Sequence, residues 1–195
     1  MAIKAVIFDI DGVLIDSVKS NAIFFEKLFK SVGGIKYSRK EYTKRNHMTM
    51  WDIIKYFTKE KSEQKIRQIW RLAMKSRYSH EHIKLPKDGI AVLKTLSLSY
   101  KLAVVTARQT RGVSSINDYK NPKPHPEPLL VALRKLKVKA NEAVYIGDME
   151  ADILCAKRTG VYSILFKRPY SILKRSKPDF IVTSFKKIPD MIHKL

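Results

Sequence analysis

The chain has 195 residues, 45% of them hydrophobic, and a formal net charge of +21 at pH 7. These values exclude an intrinsically disordered chain and leave room for one sizeable core with a small accessory unit. The single cysteine, Cys155, excludes an internal disulfide, and no apolar run approaches the ~20 residues of a membrane span, so a cytoplasmic protein without membrane attachment is expected.

Five short apolar runs have the length and composition of buried strands. They cover residues 3–8, 101–105, 143–146 and 162–166, with 180–182 as a candidate edge strand. Helical periodicity lies between them, with Ile90, Leu93 and Leu96 in one helix and Leu129, Leu130, Leu133 and Leu136 on one face of the next. Strands that alternate with helices predict an α/β fold with a Rossmann-like, doubly wound parallel sheet.

One stretch, from Ser17 to about Leu85, breaks this alternation because it carries only helical patterns. Phe24, Phe25, Leu28 and Phe29, for example, form one amphipathic face, which we interpret as core packing. The sequence therefore predicts a core domain made of residues 1–16 and 86–195, with an all-helical subdomain inserted at 17–85.

Acidic and hydroxyl side chains follow the first two predicted strands. Asp9 and Asp11 end the first run and precede Gly12, which permits a tight turn, while Thr106 and the amide of Ala107 follow the second run. Ligands of α/β sheets bind at the carboxyl ends of the strands, where a hydroxyl and free amides can hold phosphate oxygens. Taken alone, each residue also has an ordinary role as a turn former or a helix cap.

Two further motifs lie in the second half of the chain. Lys123 stands between prolines just before a helix, where it can neutralise a phosphate, although a single lysine is more often a surface residue. Asp148 follows the strand AVYI, and Asp152 comes four residues later. Two such acids suit Mg²⁺, a hard cation that prefers oxygen ligands. Asp152 also has a simple role as an acid in the first turn of the next helix.

The order of these motifs is more specific than any one of them. The stretches FDIDGVLIDS, PKPHPEPLLVALRKL and YIGDMEADILCAKRTG are similar to those of the haloacid dehalogenase-like hydrolase superfamily. The chain most resembles the phosphoglycolate phosphatase and beta-phosphoglucomutase-like branch, whose members carry a helical cap. The resemblance runs from Ala2 to about Lys187.

The resemblance implies a role for each motif residue. Asp9 is expected to be the nucleophile that takes the phosphoryl group, and Asp11 the general acid and base. Asp9, Asp148 and the backbone carbonyl of Asp11 are expected to bind Mg²⁺, with Asp152 and Gly12 in support. Thr106, Ala107 and Lys123 are then the groups that hold the phosphate.

These roles imply a magnesium-dependent phosphomonoester hydrolase that acts on a small phosphorylated metabolite, such as phosphoglycolate or a sugar phosphate. Asp11 favours phosphate esters over carbon–halogen bonds, because only the ester needs a protonated leaving group. A phosphomutase of the beta-phosphoglucomutase type stays open as an alternative, and so does a degenerate phosphatase scaffold that binds anionic partners. The basic residues are spread along the chain, so no dedicated nucleic-acid binding is expected.

The segment between the Thr106 and Lys123 motifs departs from the family pattern. Residues 108–122 contain no strand-like apolar run, whereas a parallel crossover needs a dozen or more residues before any strand is counted. We therefore expect that the edge strand after the Thr106 motif is missing. The oligomeric state is left open by the sequence.

Overall fold

The computed structural model describes residues 2–46, 48–106 and 119–195. The chain folds into two compact units, one made of Met1–Asp16 and Leu85–Leu195, and the other of Ser17–Lys84. We call them the α/β unit and the helical unit. No helix among the described residues is both long and apolar enough to cross a membrane.

The α/β unit contains a parallel five-stranded sheet whose strands follow the order β2-β1-β3-β4-β5. The strands are β1 (Ala5–Phe8), β2 (Lys101–Val104), β3 (Ala143–Gly147), β4 (Tyr162–Phe166) and β5 (Phe180–Val182). All five coincide with the predicted apolar runs, and the predicted doubly wound α/β fold is confirmed. The segment expected to lack an edge strand falls largely on residues 107–118, outside the described residues.

Neighbouring residues of each strand point to opposite faces of the sheet, and helices cover both faces. One face buries Val6 and Phe8 together with α5 (Gly89–Ser97) and α8 (Ile188–Ile192). The other face buries Ala5, Ile7 and Tyr145 with α6 (Glu127–Leu136) and α7 (Glu150–Thr159). Burial on both faces explains why β1 and β3 read as continuous apolar runs.

Two details of the predicted helix faces are wrong. Leu130 is 45% exposed, because each residue turns an α-helix by ~100° and Leu130 points away from the stripe of Leu129 and Leu133. Ile90 is 56% exposed, and the buried stripe of α5 is instead formed by Val92 and Leu96. Gly160 ends α7 in the left-handed conformation with φ +76°.

The helical unit contains four helices and buries its own apolar core. The helices are α1 (Val18–Ser31), α2 (Arg39–Lys44), α3 (Met50–Thr58) and α4 (Glu63–Lys75). Side-chain oxygens of Ser38, Thr49 and Ser62 cap the last three at their first turns. Aromatic rings fill the interior, where Phe29 packs against Phe25 and Phe57 with ring centroids 5.8 and 5.5 Å apart.

Candidate active site

The carboxyl ends of β1 and β3 bring two acidic side chains together. Phe8 pairs with Ile146 in the sheet, so Asp9 and Asp148 follow adjacent strands at the same edge. Asp152 joins them from the first turn of α7, and one carboxylate oxygen of each residue lies within 4.8 Å of the other two. Asp9, Asp148 and Asp152 are 7%, 3% and 1% exposed, so three acids are buried in one place.

Lys123 lies among these acids although it is distant from them in the chain. Its Nζ atom is 3.0 Å from Asp9 Oδ2 and 2.6 Å from Asp152 Oδ1, and it donates a third hydrogen bond to the Tyr145 hydroxyl at 2.9 Å. An ammonium group has three donors, and all three have acceptors here. Burial lowers the pKa of Lys123, but the charges of Asp152 and Asp9 outweigh this effect and hold the pKa well above its usual value.

Asp152 is held by several donors. Besides Lys123, it accepts a hydrogen bond from the Tyr145 hydroxyl at 3.1 Å and bonds from the amides of Asp148 and Met149 at 3.2 and 3.0 Å. These bonds fix the start of α7 and thereby the loop that carries Asp148. Asp152 therefore links the cation of the site to the turn after β3.

Asp148 has a different environment. Its Oδ1 atom is buried and has no hydrogen-bond partner among the described residues. Burial and the charges of Asp152 and Asp9 raise the pKa of Asp148 well above its usual range. Burial likewise raises the pKa of Asp9 to about 7, against the opposing effect of Lys123. Buried acids that lack a compensating cation are costly unless an ion or a proton neutralises them.

These observations fit a divalent cation at Asp9 and Asp148. Both side chains offer hard oxygen ligands, and the buried Asp148 Oδ1 atom has no hydrogen-bond partner among the described residues. Burial, with a smaller effect of the neighbouring acids, raises the pKa of both carboxyl groups, and a bound cation would offset both effects. Oxygen-only ligand sets are typical of Mg²⁺ and Ca²⁺. Asp11 does not belong to this group of carboxylates, and its proposed contact with the metal is through its backbone carbonyl.

Gly12 is the residue that allows the turn after β1 to approach Asp148. Its φ is +80°, a value that favours glycine, and a Cβ atom placed there would lie 1.9 Å from Asp148 Oδ2. Asp11, partly exposed, precedes it in this turn. The structure therefore brings the predicted residues Asp9, Gly12, Lys123, Asp148 and Asp152 together.

The predicted phosphate-binding residues other than Lys123 follow β2. Thr106 is 1% exposed and lies two residues beyond Val104, which pairs with Phe8 of β1. Its carbonyl accepts a hydrogen bond of 2.7 Å from the Tyr119 hydroxyl. Ala107 lies outside the described residues.

Sequence reasoning missed two tyrosines of this site. Tyr145 looks like an ordinary core aromatic of β3, yet its hydroxyl contacts Lys123 and Asp152. Tyr170 follows β4, and its hydroxyl lies beside the Asp148 carboxylate, with both groups against Gly12. In the sequence, each is simply a tyrosine close to a predicted strand, and this pattern is too common to indicate a functional residue.

Comparison with known proteins places these features in a wider group. Residues 6–116 and 111–166 match the model of a family described as haloacid dehalogenase-like hydrolase. The chain is 28% identical to the pyrophosphatase PpaX of Halalkalibacterium halodurans, with 98% of each protein covered. It is also 28% identical to a phosphoglycolate phosphatase of Aquifex aeolicus, with 92% of each covered.

A solved structure gives the same result for the fold. A haloacid dehalogenase superfamily hydrolase of subfamily IA from Geobacter sulfurreducens superposes with a TM-score of 0.75 at 27% identity. The match covers 97% of this chain and 96% of that one. The similarity therefore extends over both units of the chain, and includes the strands that carry the acidic site.

Proposed function

We propose that the chain, which belongs to the haloacid dehalogenase-like hydrolase family, is a magnesium-dependent phosphatase. It cleaves a small phosphorylated metabolite through a covalent aspartyl-phosphate. The observation that carries this proposal is the buried group of Asp9, Asp148 and Asp152 with Lys123 at the Asp9 carboxylate. A nucleophilic carboxylate beside an anionic phosphate needs positive charge to offset the repulsion. Lys123 supplies such a charge at Asp9.

In the proposed mechanism, a carboxylate oxygen of Asp9 attacks phosphorus and the ester oxygen leaves. Asp9 is well oriented for this because Oδ1 accepts the Ile10 amide at 2.7 Å while Oδ2 contacts Lys123. Asp11 protonates the leaving oxygen, and it then takes a proton from the water that hydrolyses the aspartyl-phosphate. Thr106 and the amide of Ala107 hold the other phosphate oxygens.

Asp9, Asp148 and the carbonyl of Asp11 would hold the Mg²⁺ ion, with Asp152 fixing the loop around Asp148. The ion supplies charge that stabilises the phosphoryl oxygens in the transition state. Lys123 lowers the pKa of Asp9, against the larger effect of burial, and orients the Asp9 carboxylate. Its third acceptor, Tyr145, holds the ammonium group between the two acids.

We further propose that the helical unit acts as the cap that selects the substrate. This role follows from the family resemblance. Lys44, Arg45 and His47 precede the helix that begins near Thr49 and are candidates to bind a second anionic group of the substrate, although a solvated loop residue is the commoner role for each. His47 lies outside the described residues, and Arg45 already pairs with Glu41 at 2.6 Å. Lys44 is exposed and is therefore the first of the three to substitute.

A para-nitrophenyl phosphate assay with and without Mg²⁺ tests the proposal. Hydrolysis that requires Mg²⁺ is expected, and metal-independent or absent hydrolysis contradicts it. A panel that includes phosphoglycolate, sugar phosphates and inorganic pyrophosphate then identifies the substrate class. Pyrophosphate is included because several relatives are named as pyrophosphatases. Product analysis distinguishes a phosphatase from the alternative, a phosphomutase. A phosphatase releases inorganic phosphate, whereas a phosphomutase yields an isomeric sugar phosphate without net release of phosphate.

A further inference from the structure

A short turn that follows β4 contacts the loops after both β1 and β3. Arg168 Nε donates to the Gly12 carbonyl at 2.6 Å, and Ser171 Oγ donates to the Asp148 carbonyl at 2.7 Å. The turn is closed on itself, because the Arg168 amide donates to Ser171 Oγ and the Ser171 amide donates to the Arg168 carbonyl. This segment therefore ties the two site loops to each other.

Tyr170 lies in that turn and reaches the side chain of Asp148. A Cβ atom placed on Gly12 would meet Asp148 Oδ2 at 1.9 Å and the Tyr170 hydroxyl at 2.7 Å, so both groups lie against the same glycine. The Tyr170 hydroxyl therefore lies beside the Asp148 carboxylate, close enough to interact with it. Asp148 is thus enclosed between Gly12 and Tyr170, with its Oδ1 atom unpartnered among the described residues.

We propose that Tyr170 is a positioning residue for the metal site, whose hydroxyl fixes the Asp148 carboxylate so that its free oxygen is presented to Mg²⁺. This inference rests on the proposed function. The terminal torsion of an aspartate is broad, so a carboxylate without such a donor samples many orientations. Partners that orient a metal ligand commonly contribute roughly 10–100-fold to metal affinity.

The alternative is that Tyr170 contributes only through the packing of its ring. Tyr170→Phe separates the two roles, because it keeps the ring and removes the donor. Tyr162→Phe is the matched control, since Tyr162 is partly buried at the start of β4, at the opposite end of that strand from the acidic group. Both variants are made in the full chain.

The measurement is Mg²⁺ affinity by titration calorimetry on metal-free protein, with metal-free stability by denaturant unfolding beside it. For Tyr170→Phe we expect Mg²⁺ affinity to fall about 10-fold or more with metal-free stability close to that of the parent chain. Tyr162→Phe is expected to keep the parent affinity. Neither readout depends on the identity of the substrate.

Parent-like Mg²⁺ affinity in Tyr170→Phe would overturn the inference while leaving the proposed function intact. An equal loss of affinity in both variants, or a loss that follows metal-free stability, would assign Tyr170 to packing and overturn it as well. A parent chain that binds no Mg²⁺ would remove the proposed function together with this inference.

Discussion

The two units of the chain place their charges in opposite ways. The α/β unit buries Asp9, Asp148 and Asp152 beside Lys123, whose side chain is only 7% exposed. The helical unit buries aromatic and aliphatic side chains, and its described ion pairs, such as Arg39 with Glu26, lie at the surface. Buried charge costs stability and is often retained at functional sites, so this difference supports the proposal that the α/β unit carries the chemistry.

The largest expected effect comes from the nucleophile. Asp9→Asn should abolish turnover, because an amide cannot form the acyl phosphate and is a poorer metal ligand. Asp11→Asn should retain Mg²⁺ binding through its backbone and lose roughly 10²–10⁴-fold in rate, the usual contribution of a general acid–base. Steady-state assays with the best substrate of the panel measure both, and near-parental turnover of Asp9→Asn would remove the mechanism.

Removal of the buried cation should affect both rate and stability. Lys123→Met leaves Asp9 and Asp152 without their counter-charge, and breaking a buried pair in this way costs about 3–5 kcal/mol. Lys120→Met, a substitution of an exposed lysine nearby, is the control. We expect saturating Mg²⁺ to recover part of the lost stability, since it restores positive charge at Asp9.

Lys123→Met also tests whether Lys123 binds the phosphate of the substrate. If Lys123→Met keeps parental turnover and parental affinity for a phosphate mimic, Lys123 does not hold the phosphate. Arg108, which lies outside the described residues, would then be the next cation to substitute.

Asp148, in the loop after β3, and Asp152, in the first turn of α7, should differ in how their replacement by asparagine changes metal-free stability. Asp152→Asn removes the negative charge that faces Lys123 and one of the two oxygens that accept from Lys123, Tyr145 and two amides, so metal-free stability should fall by about 3–5 kcal/mol. Asp148→Asn removes a buried carboxylate with an unpartnered oxygen, so metal-free stability at pH 8 should hold or rise while Mg²⁺ affinity is lost. Denaturant unfolding in EDTA compares them, and a large destabilisation by Asp148→Asn would contradict this account.

The sequence pointed to the proposed site where residues adjacent in the chain carry the signal, and the structure brings these side chains together. Asp9, Gly12 and Asp148 were found because an apolar strand followed by an acid predicts a strand-end site. Tyr145 and Tyr170 were not found, because their partners lie on other strands and helices and a tyrosine next to an apolar run is ordinarily core. Long-range side-chain pairing leaves no periodicity in one sequence.

The raised pKa of Asp9 predicts how metal-free stability depends on pH. Burial raises this pKa from 3.8 in the unfolded chain to about 7 in the fold, so the folded state binds the extra proton between those values. Stability therefore falls as pH rises from about 4 through 7, and it levels off above. Unfolding in EDTA from pH 5 to 8 should show this fall, and Asp9→Asn should reduce it, with the remainder coming from Asp148, whose pKa is also raised. Stability that rises over this range would contradict the assignment.

The smallest effect is expected for the surface pair of the helical unit. Arg39 and Glu26 have side chains that are 51% and 44% exposed, so water screens their attraction. Arg39→Ala should therefore change the free energy of unfolding by only about 0.2–1 kcal/mol, and 0.5 M NaCl should erase the difference because salt screens exposed charges. The loss in Lys123→Met should persist in the same salt, since that pair is shielded from solvent. Denaturant unfolding of both variants at low and high salt measures this contrast, and equal salt sensitivity would mean that the two units do not differ in how they use charge.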